Sequence, residues 1–109
     1  MAYDPGLEMR IDDILAERPA CRARPLFGAM GWFCDGHLAV AVSGSDLIVR
    51  LAPVDGEAAL EEPGTRPFAP GGRPFRGWVV VSPDATDADA GLRDWVERGW
   101  AFAAGLPPK

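Results

Sequence analysis

Apolar residues recur along the chain at two different periods, and each change of period marks a new element. Near the start, Leu7, Ile11, Ile14 and Leu15 are separated by Glu8, Asp12, Asp13 and Glu17, which predicts an amphipathic helix with a wet acidic side. Asp4-Pro5 supplies the entry, because Asp accepts from free backbone N–H groups and Pro fits a first turn whose N–H has no partner. Pro19 stops this helix after about Arg18, and Arg18, Arg22 and Arg24 read as a short basic connection. From Pro25 to Ala52 the period falls to two. The stretch PLFGAMGWFCDGHLAVAVSGSDLIVRLA reads as three consecutive antiparallel strands joined by two tight turns.

Those turns predict the register. Asp35-Gly36 between apolar runs is a two-residue hairpin signal. It would place Cys34 opposite His37, Phe33 opposite Leu38, Trp32 opposite Ala39 and, further back, Gly28 opposite Ser43. One face then collects Phe27, Ala29, Phe33, Leu38, Val40 and Val42. The other collects Gly28, Met30, Trp32, Cys34, His37, Ala39, Ala41 and Ser43. A second turn at Gly44-Ser45 would pair Val42 with Leu47, Val40 with Val49 and Leu38 with Leu51, sending Ile48 and Arg50 to the Met30–Trp32 side. The first face is the expected core. The second would be an exposed apolar patch around a cation if helices cover only one side, and such patches mark association surfaces. Met30, Trp32, Ile48 and Arg50 are therefore the candidate partner contact.

Beyond Pro53, Asp55 can cap a short helix through Glu57, Ala58, Ala59 and Leu60, closed by Pro63-Gly64. Arg-Pro-Phe then occurs at 66–68 and at 73–75, around Ala69-Pro70-Gly71-Gly72, which reads as two hairpin arms with proline-protected edges. Trp78 to Val81 is a strand whose β-branched run implies cover on both faces. A last helix starts near Thr86 or Asp87, carries Leu92, Trp95, Val96 and Trp100, and ends at Gly105. The expected fold is one α+β domain over residues 1–109, an antiparallel β-sheet of about five strands with three helices in the order α-β-β-β-α-β-β-α.

With 48% apolar residues and 25% charged ones, the chain has the composition of a folded domain. It has no apolar run of membrane-spanning length and no basic start followed by an apolar core, so a cytoplasmic protein without a membrane is expected. The net charge of −5 argues against direct nucleic-acid binding through the whole surface. Segment 63–83 is the exception, with Arg66, Arg73 and Arg76 as a candidate anion contact. Cys21 and Cys34 form no disulfide framework and are expected to be free thiols.

Chemistry-bearing motifs are sparse. His37 would neighbour Cys34 across the hairpin end, but a zinc site needs further ligands and a thiol nucleophile needs a base, an orienting group and an oxyanion site. Adjacent Asp12 and Asp13 point about 100 degrees apart on a helix and cannot face one another as an acid–base pair. The glycines match neither a dinucleotide fingerprint nor a phosphate loop. No catalytic residue, cofactor or metal is therefore assigned. A protein partner, a second copy of the chain included, is the first expectation. The alternative is a small-ligand binder or enzyme with a pocket near Cys34, His37 and Arg50.

Several segments together carry a resemblance. These are the opening MAYD and its helix, LFG followed by Trp32-Phe33 before Asp35-Gly36, LIVRLAP, RPFRGWVVV, and the closing Leu92-Arg93-Asp94-Trp95-Val96 helix ending in LPPK. In these the chain resembles, from end to end, the TfoX N-terminal domain of TfoX/Sxy-type competence regulators. The resemblance implies a regulatory or interaction role, with regulators of this type acting as coactivators beside the cyclic-AMP receptor protein. It implies no catalytic residues. Competence regulators also carry a second, C-terminal domain, which these 109 residues do not include.

Overall fold

Asp4 accepts a hydrogen bond from the Gly6 N–H at 2.8 Å and so caps the first helix, α1 (Pro5–Leu15), as the Asp4-Pro5 pair predicts. The structure, a computed structural model, describes residues 3–26 and 28–109. After α1 come β1 (Cys21–Leu26), β2 (Ala29–Cys34), β3 (His37–Ser43), β4 (Asp46–Arg50) and α2 (Pro53–Ala59). The chain continues through β5 (Thr65–Pro67), β6 (Trp78–Val81), α3 (Pro83–Thr86) and α4 (Asp89–Ala104). The six strands form one antiparallel sheet in the order β1-β2-β3-β4-β6-β5. The α+β class is as expected, with one more strand and one more helix than the sequence pattern suggests.

The added strand is β1. Its residues Arg22, Ala23, Arg24 and Pro25 show no apolar alternation because it is an edge strand, exposed along most of its length. The basic connection is thus part of the sheet, and the first expected strand divides into β1 and β2. The added helix, α3, is one turn started by Pro83. Pro53, not Asp55, opens α2, because its missing N–H costs nothing at a helix start. The first Arg-Pro-Phe copy enters β5 with Pro67 on the outer edge, and the second lies in the connection before β6.

Both turn predictions hold. Asp35 and Gly36 have φ of 51° and 87°, the left-handed pair that a two-residue hairpin needs, and Ser43 faces Asp46 across Gly44-Ser45. The register between the turns differs in one place. Cys34 faces His37 and Phe33 faces Leu38, but Trp32 faces Val40, because β3 carries a bulge there. Ala39 is the extra residue. It and Val40 both lie on the helix side, Ala39 against Ala103 and Trp100, Val40 in the main core.

This bulge corrects the face assignment. Val40, Val42, Leu47 and Val49 are core residues as expected, yet Trp32 joins them and Met30 packs against them. Phe33 and Leu38 lie instead on the opposite side with Ala41, Ile48 and Val80. Phe27, also assigned to the core, lies outside the described residues. The main core is closed by Leu7, Ile11, Ile14 and Leu15 of α1, Ala59 of α2, and Leu92, Trp95 and Val96 of α4. The helices therefore cover one face of the sheet. At Gly99 a Cβ would sit 2.6 Å from the Ala39 carbonyl oxygen, so the bulged segment and α4 approach as closely as backbone allows.

The expectation of free thiols is also corrected. Cys21 faces Cys34 in the β1–β2 ladder, and the two form a disulfide across 13 positions of sequence. Closing a loop of that length stabilises by about 3 kcal/mol through the unfolded chain. Reducing the protein with dithiothreitol before urea denaturation is expected to lower its unfolding free energy by about 2–4 kcal/mol; equal stabilities would show that the bond adds nothing.

Candidate interaction face

Side-chain alternation assigns the second sheet face residue by residue. Cys21 packs on the helix side with Ala39 and Ala103, so Arg22, Arg24 and Leu26 of β1 point the other way. Phe33, Leu38, Ala41, Ile48 and Val80 share that side. Leu38, Ala41, Ile48 and Val80 are nonetheless buried, although no helix lies on them. Their cover is the segment 68–78. Phe75 N–H donates to the Phe68 carbonyl at 2.9 Å and Trp78 N–H to the Phe75 carbonyl at 3.0 Å, which folds the connection back over the sheet.

The fold-back brings three rings together. Phe68 stacks on Trp78 with centroids 5.5 Å apart, and Phe75 meets both edge-on at 5.2 and 5.6 Å, within the range where aromatic pairs attract. The rings form one wall of an apolar groove of about 480 Å³, whose floor includes Leu38, Ala41 and Ile48 and whose far side is Leu26. Phe75 is 47% exposed.

Among the described residues no arginine lines this groove; three lie beyond its lining. Arg24 lies 4.1 Å over the Phe33 ring in a neighbouring depression that also holds Asp35, and Arg50 lies at the end of the sheet between Trp78 (5.8 Å) and Phe102 of α4 (5.4 Å). Neither makes an ion pair among the described residues. Arg66 bonds Asp46 at 2.8 Å on the β5 side.

Of the candidate partner contact, Ile48 and Arg50 lie on this open face. Met30 and Trp32 do not. Trp32 is 1% exposed, and its indole N–H donates to Asp12 Oδ1 of α1 at 2.8 Å. The candidate anion residues are dispersed, with Arg66 held by Asp46, Arg76 held by Glu57 at 3.1 Å, and Arg73 exposed without an ion pair among the described residues. The alternative grouping also separates. Cys34 is buried in its disulfide, and His37 Nε2 donates to the Pro107 carbonyl at 2.7 Å, where the chain end crosses the β2–β3 turn. The groove itself was legible only in part. Its signal is the Phe that follows each Arg-Pro and the Trp78 three positions on, aromatic residues that straddle a Pro-Gly turn.

A second depression lies between α2 and α4, lined by Leu51, Ala58, Glu62, Arg98, Ala101 and Phe102. It also holds Asp55, so two acids face the single Arg98. Arg98 donates two hydrogen bonds to Glu62, at 2.7 and 3.1 Å, and these hold the Glu62 carboxyl below its ordinary value of 4.5 against an opposing effect of burial.

A family comparison bears on the whole chain. The TfoX N-terminal domain model matches residues 13–103. No curated protein and no solved structure matches the chain. Among the described residues no helix is long and apolar enough to cross a membrane.

Two measurements test this geometry. Trp32→Ala is expected to destabilise the fold by about 3–5 kcal/mol in urea titration, as a buried aromatic does; a change below about 1 kcal/mol would return Trp32 to the surface. For Glu62 the folded pKa lies below the unfolded one, so its contribution is complete above 4.5 and is lost as pH falls through the lower folded value. Unfolding free energies measured down through that range should decline less steeply in Glu62→Gln than in the parent; parallel curves would contradict the pairing with Arg98.

Proposed function

The chain belongs to the TfoX N-terminal domain family, and from that premise we propose that it is a non-enzymatic interaction domain acting in transcriptional regulation, as competence regulators do. The observation that carries the reading is the one-sided placement of the helices. A sheet whose helices all pack on one face leaves the other for association, and here that face holds an apolar groove with arginines beside it. The partner is a protein, and cytoplasmic placement goes with that role provided the Cys21–Cys34 bond persists in a reducing compartment.

The same geometry supports a role without chemistry. The thiol that would act as a nucleophile is engaged in the Cys21–Cys34 bond, and His37 holds the chain end. A nucleophile needs a free thiolate beside a base, and neither condition is met at this hairpin.

The experiment is a transcript profile. Removing the chromosomal copy of this chain from its host is expected to change the levels of a defined set of transcripts, and a plasmid copy should restore them. Unchanged transcripts in the deletion strain would sink the regulatory reading.

A further inference from the structure

We propose that the open-face groove binds an acidic peptide segment of a partner protein, with a bulky apolar side chain seated between Leu26 and the Phe68–Phe75–Trp78 wall and a carboxylate of the segment on Arg24, two positions from Leu26 on the same face of β1. The inference rests on the interaction reading above and gives the chemistry of its partner.

Charge placement is the first argument. The chain has 16 acidic residues against 11 basic ones. Apart from Asp35 and Asp46, its acids lie on the helices or within a few residues of their ends. The open face has the reverse balance, with Arg22, Arg24 and Arg66 against Asp35 beside Arg24 and Asp46, whose charge Arg66 already meets. Arg24 is held in place by a ring rather than by a carboxylate. A ring orients a guanidinium without pairing it, so Arg24 keeps several N–H donors for an incoming carboxylate. An acidic segment is thus drawn to this face of a protein whose other surface repels it.

The groove supplies the second argument. It is apolar and about 480 Å³ in volume, room for one or two large side chains, and Phe75 at its lip is half exposed. Arginine and aromatic residues on a sheet face can also hold single-stranded nucleic acid, but that mode needs free ring faces on which bases stack. Here one Phe33 face is taken by Arg24 and Phe68 and Trp78 stack on one another, so Phe75 alone presents exposed ring and successive stacking platforms are absent from the groove. The rings are walls, not platforms.

The test is selection from a random peptide display library on the immobilised full chain, followed by anisotropy titration of one labelled synthetic peptide from the enriched pool. The expected pool is rich in Asp and Glu flanking Leu, Ile, Phe or Trp. Binding of the synthetic peptide should weaken with salt and fall about tenfold or more in Arg24→Glu and in Phe75→Ala. Both variants are checked by thermal melting, and Arg24→Glu, an exposed change, keeps the test decisive if Phe75→Ala fails to fold. A pool without acid enrichment, or affinity unchanged in a folded Arg24→Glu, overturns the proposal. So does retardation of an oligo-dT strand that Arg24→Glu abolishes, or a concentration-dependent dimer in light scattering that Phe75→Ala dissolves. Transcripts that respond to deletion while the peptide pool shows no acid enrichment would leave the regulatory role standing and remove only this partner. The opposite pair of results would remove the role and leave the site.

Discussion

The single extra residue at Ala39 decides which side of the sheet each neighbour faces. Without it, strict alternation from the Asp35-Gly36 turn would put Phe33 and Leu38 beside Val40 and Val42 in the core and leave Trp32 outside. With it, Trp32 lies opposite Val40 under α1, donates to Asp12, and becomes one of the largest fully buried side chains. Phe33 and Leu38 pass to the open face. Gly99 belongs to the same device, since a side chain there would collide with the Ala39 carbonyl that the bulge presents to α4. Bulge, tryptophan and glycine form one packing arrangement.

Charge is sorted by the same division of faces. On the helix side, ion pairs tie elements together: Arg10 reaches Asp89 and the carbonyls of Thr86 and Asp87, and Arg18 bonds Glu97 while lying 3.9 Å over Trp100. These pairs are partly to fully exposed and each is worth little alone, but they join α1 or its exit to α4 across an apolar interface. On the open face Arg66 pairs with Asp46, while Arg24 rests on the Phe33 ring. The contrast separates arginines that close the structure from arginines that can still bind something, and it follows from which neighbour the backbone offers.

How much was legible in the residues can be traced element by element. Turn chemistry is local, so Asp35-Gly36 and Gly44-Ser45 were readable, and with them the β3–β4 pairing and the core role of Val40, Val42, Leu47 and Val49. A bulge has no comparable signature here, because Ala39 is an ordinary alternating residue until α4 is packed against it. The edge strand β1 was hidden because one-sided packing gives Arg22 and Arg24 no apolar partners in sequence. Once β1 was missed, so was the disulfide. With Leu26 opposite Ala29, counting outward along both strands brings Cys21 to Cys34. The groove depends on the fold-back of segment 68–78, a tertiary event that the repeated Arg-Pro-Phe announces only faintly.

The open face shows how a two-layer domain can keep an apolar surface without a third layer. Large rings stand on its β5–β6 side, while Ala29, Gly31 and Ala41 occupy β2 and β3 in the middle. Rings packed on one another bury Ile48 and Val80 beneath them, and the small residues leave a trench that the rings do not fill. Leu26 on the edge strand closes its far side, and the Cys21–Cys34 bond ties that strand to its neighbour. The trench walls are therefore strand residues and a hydrogen-bonded turn rather than free loops. A partner that enters such a site orders little of the protein, so more of its contact energy appears as affinity.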